Sequence, residues 1–141
     1  MLDAPDGAFA GRPAFEELSG GLVSTVGDVL RFSTAMADGG APVLEPGEVA
    51  LMTADALTSQ QRRDALAIVD AGGSWGLATG VDVEAAEPWM APGRWGWTGG
   101  TGTTAYVDPT RDTVSVLLTQ RAMTSALDRF DDFWRAVAEA A

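Results

Sequence analysis

The sequence contains no cysteine, no histidine and no lysine; all nine of its basic residues are arginine. Without cysteine there is no disulfide, no thiol nucleophile and no thiolate metal site. Without histidine the usual general base and the commonest transition-metal ligand are missing. Arginine stays protonated in proteins and cannot stand in as a base. The Ser-His-Asp, Cys-His, Ser-Lys and Schiff-base chemistries are therefore closed to these 141 residues by themselves, and carboxylate-only chemistry stays open. No cofactor and no metal site is expected. Basic stripes are absent too, and the net charge is −11, which argues against nucleic acid and anionic membranes as partners. No apolar run approaches the ~18 residues of a membrane span. The first six residues carry neither a basic nor an apolar signal segment, so the default expectation is cytoplasmic. That start says nothing about the export of a longer protein.

What is present can build a core. Hydrophobic residues make up 46% of the chain, enough for one domain or part of one. All-arginine usage with abundant alanine and glycine fits a GC-rich bacterial genome. Residues 1–21 are irregular and rich in glycine and proline. A helical segment is expected over residues 22–72. Thr25 followed by Asp28 reads as a helix start, and Val26, Val29, Leu30, Ser33, Met36 and Ala37 then share one helical face. Asp38-Gly39-Gly40 ends that helix. Pro46 opens a second helix bearing Val49, Leu51 and Met52. Thr58, with Gln61 as reciprocal cap, opens a third that would carry Arg62, Ala65, Leu66 and Val69 as far as Gly72-Gly73.

The period then drops from 3.6 to 2. Trp75, Leu77, Thr79, Val81 and Val83 alternate with small or polar residues, which predicts one half-buried strand. A loop over residues 84–93 leads to strands at 94–99, 103–107 and 113–120. Asp108-Pro109-Thr110-Arg111-Asp112 predicts a tight antiparallel reversal. The β-branched run from Thr113 suggests a central strand. A closing helix is expected over residues 125–140, with Leu127, Phe130, Phe133, Trp134 and Val137 as an apolar stripe against the sheet.

Four stretches, in order, are similar to one family. Gly20-Gly21-Leu22-Val23-Ser24-Thr25, continuing to Phe32, resembles a helix start found late in class C β-lactamase-like serine hydrolases. Leu51-Met52-Thr53-Ala54-Asp55 has the same look. Residues 93–109, with Trp97-Thr98-Gly99-Gly100 at their centre, resemble the family's third motif and the strand after it, and Val116-Leu117-Leu118-Thr119-Gln120-Arg121 matches the strand that follows. The likeness runs from about residue 15 to residue 120. It implies an α+β fold, the C-terminal portion of the β-lactamase/transpeptidase-like fold, with residues 1–141 forming a single partial domain. It implies that Trp97, Thr98, Gly99 and Gly100 border the substrate, that the Gly100 backbone N–H is an oxyanion donor, and that the substrate is a small ester or amide. Trp97 stands where penicillin-recognising members have lysine, which shifts the expectation from β-lactams toward esters. The family's Ser-x-x-Lys nucleophile motif is absent here, and Tyr106 does not fit its Tyr-x-Asn motif. The resemblance therefore describes a C-terminal fragment of a serine hydrolase, inactive alone.

Two other readings stand beside this one. A piece of such a fold would expose apolar surface and an open sheet edge, suiting self-association or complementation by an N-terminal part. A carboxylate-only glycosidase would need two acids on one cleft, and Glu84 and Glu87 beside Trp89 are the only cluster to consider. Asp108 and Asp112 are expected as turn residues, Asp128, Asp131 and Asp132 as a solvated helix face, Ser24 and Thr25 as caps, and Trp95 as packing.

Overall fold

The computed structural model describes residues 6–7, 10–12, 15, 19–125 and 128–141. Helix α1 runs Val26–Ala37, and the Thr25 side chain accepts from the Asp28 N–H, as its sequence requires. Helix α2 is Pro46–Thr53. Helix α3 is Ser59–Asp64, closed at its start by the reciprocal Thr58–Gln61 bonds. It stops well short of Gly72, because residues 65–68 leave the helix in a series of turns.

Five antiparallel strands follow in a simple meander: β1 Gly73–Trp75, β2 Gly80–Asp82, β3 Trp95–Gly99, β4 Thr103–Asp108 and β5 Thr113–Leu118. The fold is α+β. One expected strand is in fact two. Between β1 and β2 the chain reverses, the Gly76 N–H donates to the Thr79 carbonyl at 2.8 Å, and Leu77 and Ala78 lie exposed at the tip. A period-2 pattern continues through a tight hairpin unchanged, so it conceals the turn. A second expectation is also corrected: among the described residues β5 is the last strand of the sheet and not a central one, although α1 packs against β4 and β5.

Helix α4 is Asp131–Ala140, six residues shorter at its start than expected. Phe130 precedes it with φ 58°, a left-handed conformation incompatible with a preceding helical turn. Leu127 lies outside the described residues. Trp134 is buried on Trp89 and Met90, with Tyr106, Phe130, Phe133 and Val137 around them. The helix thus covers the sheet, as its stripe demands.

Two glycines let this sheet close. A Cβ on Gly96 would fall 2.1 Å from the Ala105 carbonyl oxygen and 2.5 Å from the Tyr106 ring. Gly102 turns β3 into β4 at φ 89°, where a Cβ would lie 1.8 Å from the Arg121 carbonyl oxygen. Gly96→Ala should therefore push β3 off β4 and lower unfolding free energy by about 2–4 kcal/mol in urea titration.

Candidate functional site

β2 is short, and its ladder with β3 ends at the Gly80–Gly96 pair. β4 pairs with β3 along its whole length, to Gly99–Thr103. The outer edge of Trp97, Thr98 and Gly99 therefore has no strand beside it among the described residues. At the end of that edge Gly100 is exposed, with nothing within 4 Å of where a Cβ would sit. Its carbonyl is fixed by the Met123 N–H at 2.9 Å, while its own N–H takes no part in the turn and loop hydrogen bonds among the described residues.

Strand alternation puts Arg94, Gly96 and Thr98 on the same face as Thr104 and Tyr106. A cavity of about 450 Å³ opens on this face. Trp97, Thr98 and Gly100 line it, and Gly99 does not. Thr98 Oγ1 and Thr104 Oγ1 are hydrogen-bonded at 2.8 Å, and Thr104 is almost fully buried. The Trp97 indole packs edge-on against Trp75 with centroids 4.5 Å apart, yet keeps 39% of its surface exposed.

Beneath these residues lies a buried ion pair. Arg94 Nη1 donates to Asp82 Oδ2 at 3.0 Å, and both side chains are more than nine-tenths buried. The guanidinium carbon is 3.8 Å from the Tyr106 ring centroid and 4.5 Å from that of Trp134. Its other terminal nitrogen, Nη2, is buried without a hydrogen-bond partner among the described residues, enclosed with these two rings. Burial pushes the Asp82 carboxyl up to about 6, against the pull of Arg94. Burial likewise pushes the Tyr106 phenol up to about 12, again against Arg94. A phenol so held is neutral and cannot serve as a base at neutral pH. Asp70, also raised by burial, is paired with Arg129 at 2.7 Å, and the neighbouring Asp131 and Glu87 raise it further.

The cavity includes two serines, Ser74 and Ser125. Ser74 is committed: its hydroxyl donates to Asp55, which also holds Arg62. Desolvation works to raise the Asp55 carboxyl, but the hydrogen bonds of Ser74, the Leu57 N–H and Arg62 hold it below the usual carboxylate range. Neither serine can meet an imidazole or a lysine amine, because the sequence has none. The same wall offers fixed donors, an aromatic face and a floor of paired charge, but no group that can remove a proton from a hydroxyl at neutral pH as Lys or His would.

Sequence patterning missed Asp82, Arg94, Asp70 and Arg129. Residues of this kind at alternating positions read as solvated, and only the aromatics flanking Arg94 in sequence hinted otherwise. Glu84 and Glu87 are not brought together on the cavity: Glu87 lines it and Glu84 does not. Asp108 caps the β4–β5 turn by accepting from Thr110 and Arg111, which hold its carboxyl low in spite of its desolvation. Among the described residues no group of acids could hold a metal ion, and no helix is long and apolar enough to cross a membrane.

An α+β domain with an open strand edge, a Gly-rich turn at its end and a cavity beside it defines a class of cleft-forming sheet proteins. The sequence matches the family model described as Beta-lactamase over residues 2–140, and the chain belongs to that family. It is 35% identical over 127 residues to two proteins of Mycobacterium tuberculosis, an uncharacterized protein designated MT1414 (strain CDC 1551 / Oshkosh) and Protein Rv1367c (strain ATCC 25618 / H37Rv). Each alignment takes in 82% of this chain and 32% of the relative, so the chain spans about a third of their length.

Asp82→Asn keeps an oxygen acceptor for Arg94 but fixes the side chain as neutral at every pH, so it removes the one titration coupled to this pair. The pH dependence has a definite sign. Asp82 binds its proton more tightly when folded, so its contribution is complete below the unfolded carboxyl value of 3.8 and is lost as pH rises through about 6. The stability of wild type relative to Asp82→Asn should therefore rise as pH falls from 7 toward 4, measured by urea unfolding at each pH.

Proposed function

We propose that this chain supplies one wall of the acyl-transfer cleft of a serine hydrolase that cleaves small esters or amides through an acyl-serine intermediate. The observation that supports this most is the open outer edge of β3 from Trp97 to Gly99, beside a cavity of about 450 Å³. In this reading the substrate lies along that edge, where Trp97, Thr98 and Gly99 contact it. The Gly100 N–H, which takes no part in the turn and loop hydrogen bonds among the described residues, takes the developing oxyanion. The nucleophile and its base come from outside these residues, because Ser-x-x-Lys cannot be written without lysine. The chain is then a C-terminal fragment in functional terms, and inactive alone. The indole at position 97 in place of a cation favours esters over carboxylate-bearing β-lactams.

A second reading has its own observation. Leu22, Val23 and Phe32 are more than half exposed, as is Val26, and all lie on or beside α1, which packs on the edge strand β5. That surface suits self-association, or complementation by the N-terminal part of a longer protein.

The isolated chain should show no turnover of nitrocefin or p-nitrophenyl esters above buffer. Hydrolysis with measurable kcat would defeat the division of labour described here. In a longer protein carrying the Ser-x-x-Lys motif, Gly100→Pro removes the proposed donor N–H and should lower kcat by about 10²–10³ with little change in unfolding midpoint. Sedimentation of the isolated chain separates the second reading, since a monodisperse monomer at high concentration counts against it.

A further inference from the structure

The ionic balance of the cavity bears on what it can accept. Two guanidiniums line it, and each is already engaged: Arg94 by Asp82 at 3.0 Å and Arg129 by Asp70 at 2.7 Å. Arg94 Nη2 is unpartnered but has no surface open to the cavity, so it offers nothing to an entering anion. Two further carboxylates, Glu87 and Asp131, line the same cavity, are solvent-exposed, and make no ion pair among the described residues. Both act on Asp70 from where they stand, so they lie within electrostatic reach of a bound molecule there. The Trp97 indole adds an aromatic surface, partly exposed and held in place by Trp75. A ligand carboxylate would thus meet two unneutralised negative charges and the electron-rich face of a ring. A ligand ammonium would meet two attractive charges and a surface suited to cation–π contact.

We infer that this wall selects substrates that are positively charged or neutral, and specifically favours a quaternary or primary ammonium group carried on the ester or amide. The inference deepens the hydrolase reading by naming its substrate class. It concerns only the charge of the wall, which can be measured without any turnover. Failure of hydrolysis and failure of this selectivity are therefore separate results.

The test uses three ligands that share a phenyl ring: benzyltrimethylammonium, benzyl alcohol and benzoate. Each is titrated into the 141-residue chain while the indole N–H signal of Trp97, assigned with Trp97→Phe, is followed by NMR. The ammonium should bind about fivefold more tightly than the alcohol, with benzoate weakest. The double variant Glu87→Gln/Asp131→Asn alters only exposed side chains, and should bring ammonium and alcohol to within about twofold of each other. Benzoate binding as tightly as the ammonium would overturn the inference. An ammonium preference that survives the double variant would overturn it too, as would the absence of any saturable shift with the ammonium.

Discussion

One contact organises this molecule: the Arg94 guanidinium, packed against the rings of Tyr106 and Trp134 and bonded to Asp82. It joins four parts of the chain. Asp82 ends β2, Arg94 immediately precedes β3, Tyr106 belongs to β4 and Trp134 to α4. Taking a guanidinium and a carboxylate out of water is expensive, and the pair endures only with close geometry and added favourable contacts. Here two aromatic rings, set nearly perpendicular to one another, supply those contacts to the cation. The arrangement has a consequence for position. Because the pair has one good geometry, β2, β3 and α4 cannot slide past one another without exposing an unpaired buried charge. The register at Gly80–Gly96 and Val81–Trp95 is fixed from below by this pair as well as by the ladder.

The open edge of β3 follows from the same constraint. β2 must reach Asp82 at one end and turn at Leu77-Ala78 at the other, which leaves it three residues long. Its ladder therefore covers Trp95 and Gly96 and stops before Trp97. The other edge of β3 is occupied throughout by β4, and Gly96 leaves there the room that the Tyr106 ring takes. What remains is a short, rigid strand edge, with a hydroxyl pinned by Thr104 and a turn whose first glycine, Gly100, has open space where a Cβ would sit. Groups on such a strand are held more exactly in place than groups on a loop could be, and acyl-transfer chemistry draws its rate advantage from that kind of fixed donor.

Much of this was legible before any coordinates. The caps at Thr25 and Thr58 follow from local hydrogen-bond demand, and the Asp108–Asp112 reversal from turn chemistry, so both were readable. Trp134 on the covering face of α4 was readable from helical spacing. The hairpin at Gly76–Thr79 was not, because a strand that folds back keeps its alternation. Nor was the start of α4, which depends on one left-handed residue, Phe130. The loop at 84–93 looked like a connection, yet Trp89, Met90 and Ala91 are buried, and Trp89 and Met90 form the core cluster with Trp134. Arg94 was the deepest miss. Charged residues are almost never fully buried unless paired, and the pairing with Asp82 across twelve residues is set by the hairpin-like return of the loop, not by local pattern. The third-motif residues were placed by family likeness and not by periodicity, which by itself shows only a short strand ending in glycines.

The distribution of apolar surface explains why this chain can hold a core and still look incomplete. The face under α4 is sealed: Trp134 and Met90 are each only 3% exposed, and Trp89 is buried with them. On the side of α1 the seal is partial. Ser33 and Met36 are buried in that helix, while Val26 and Leu30 remain 53% and 44% exposed. A helix that uses one or two positions for burial and leaves the rest of its apolar stripe in water gains little from folding onto the sheet. Such a stripe adds stability only when something covers it. The chain spans about a third of its relatives' length, so the natural source of cover is the other two thirds of a protein of that size. In the proposed reading the same proportion bears on the chemistry, since a wall of donors without a base is what one side of a two-sided cleft provides. Packing and the proposed reactivity then point the same way: a surface without cover and a wall without a base both fit one part of a larger molecule of the relatives' size.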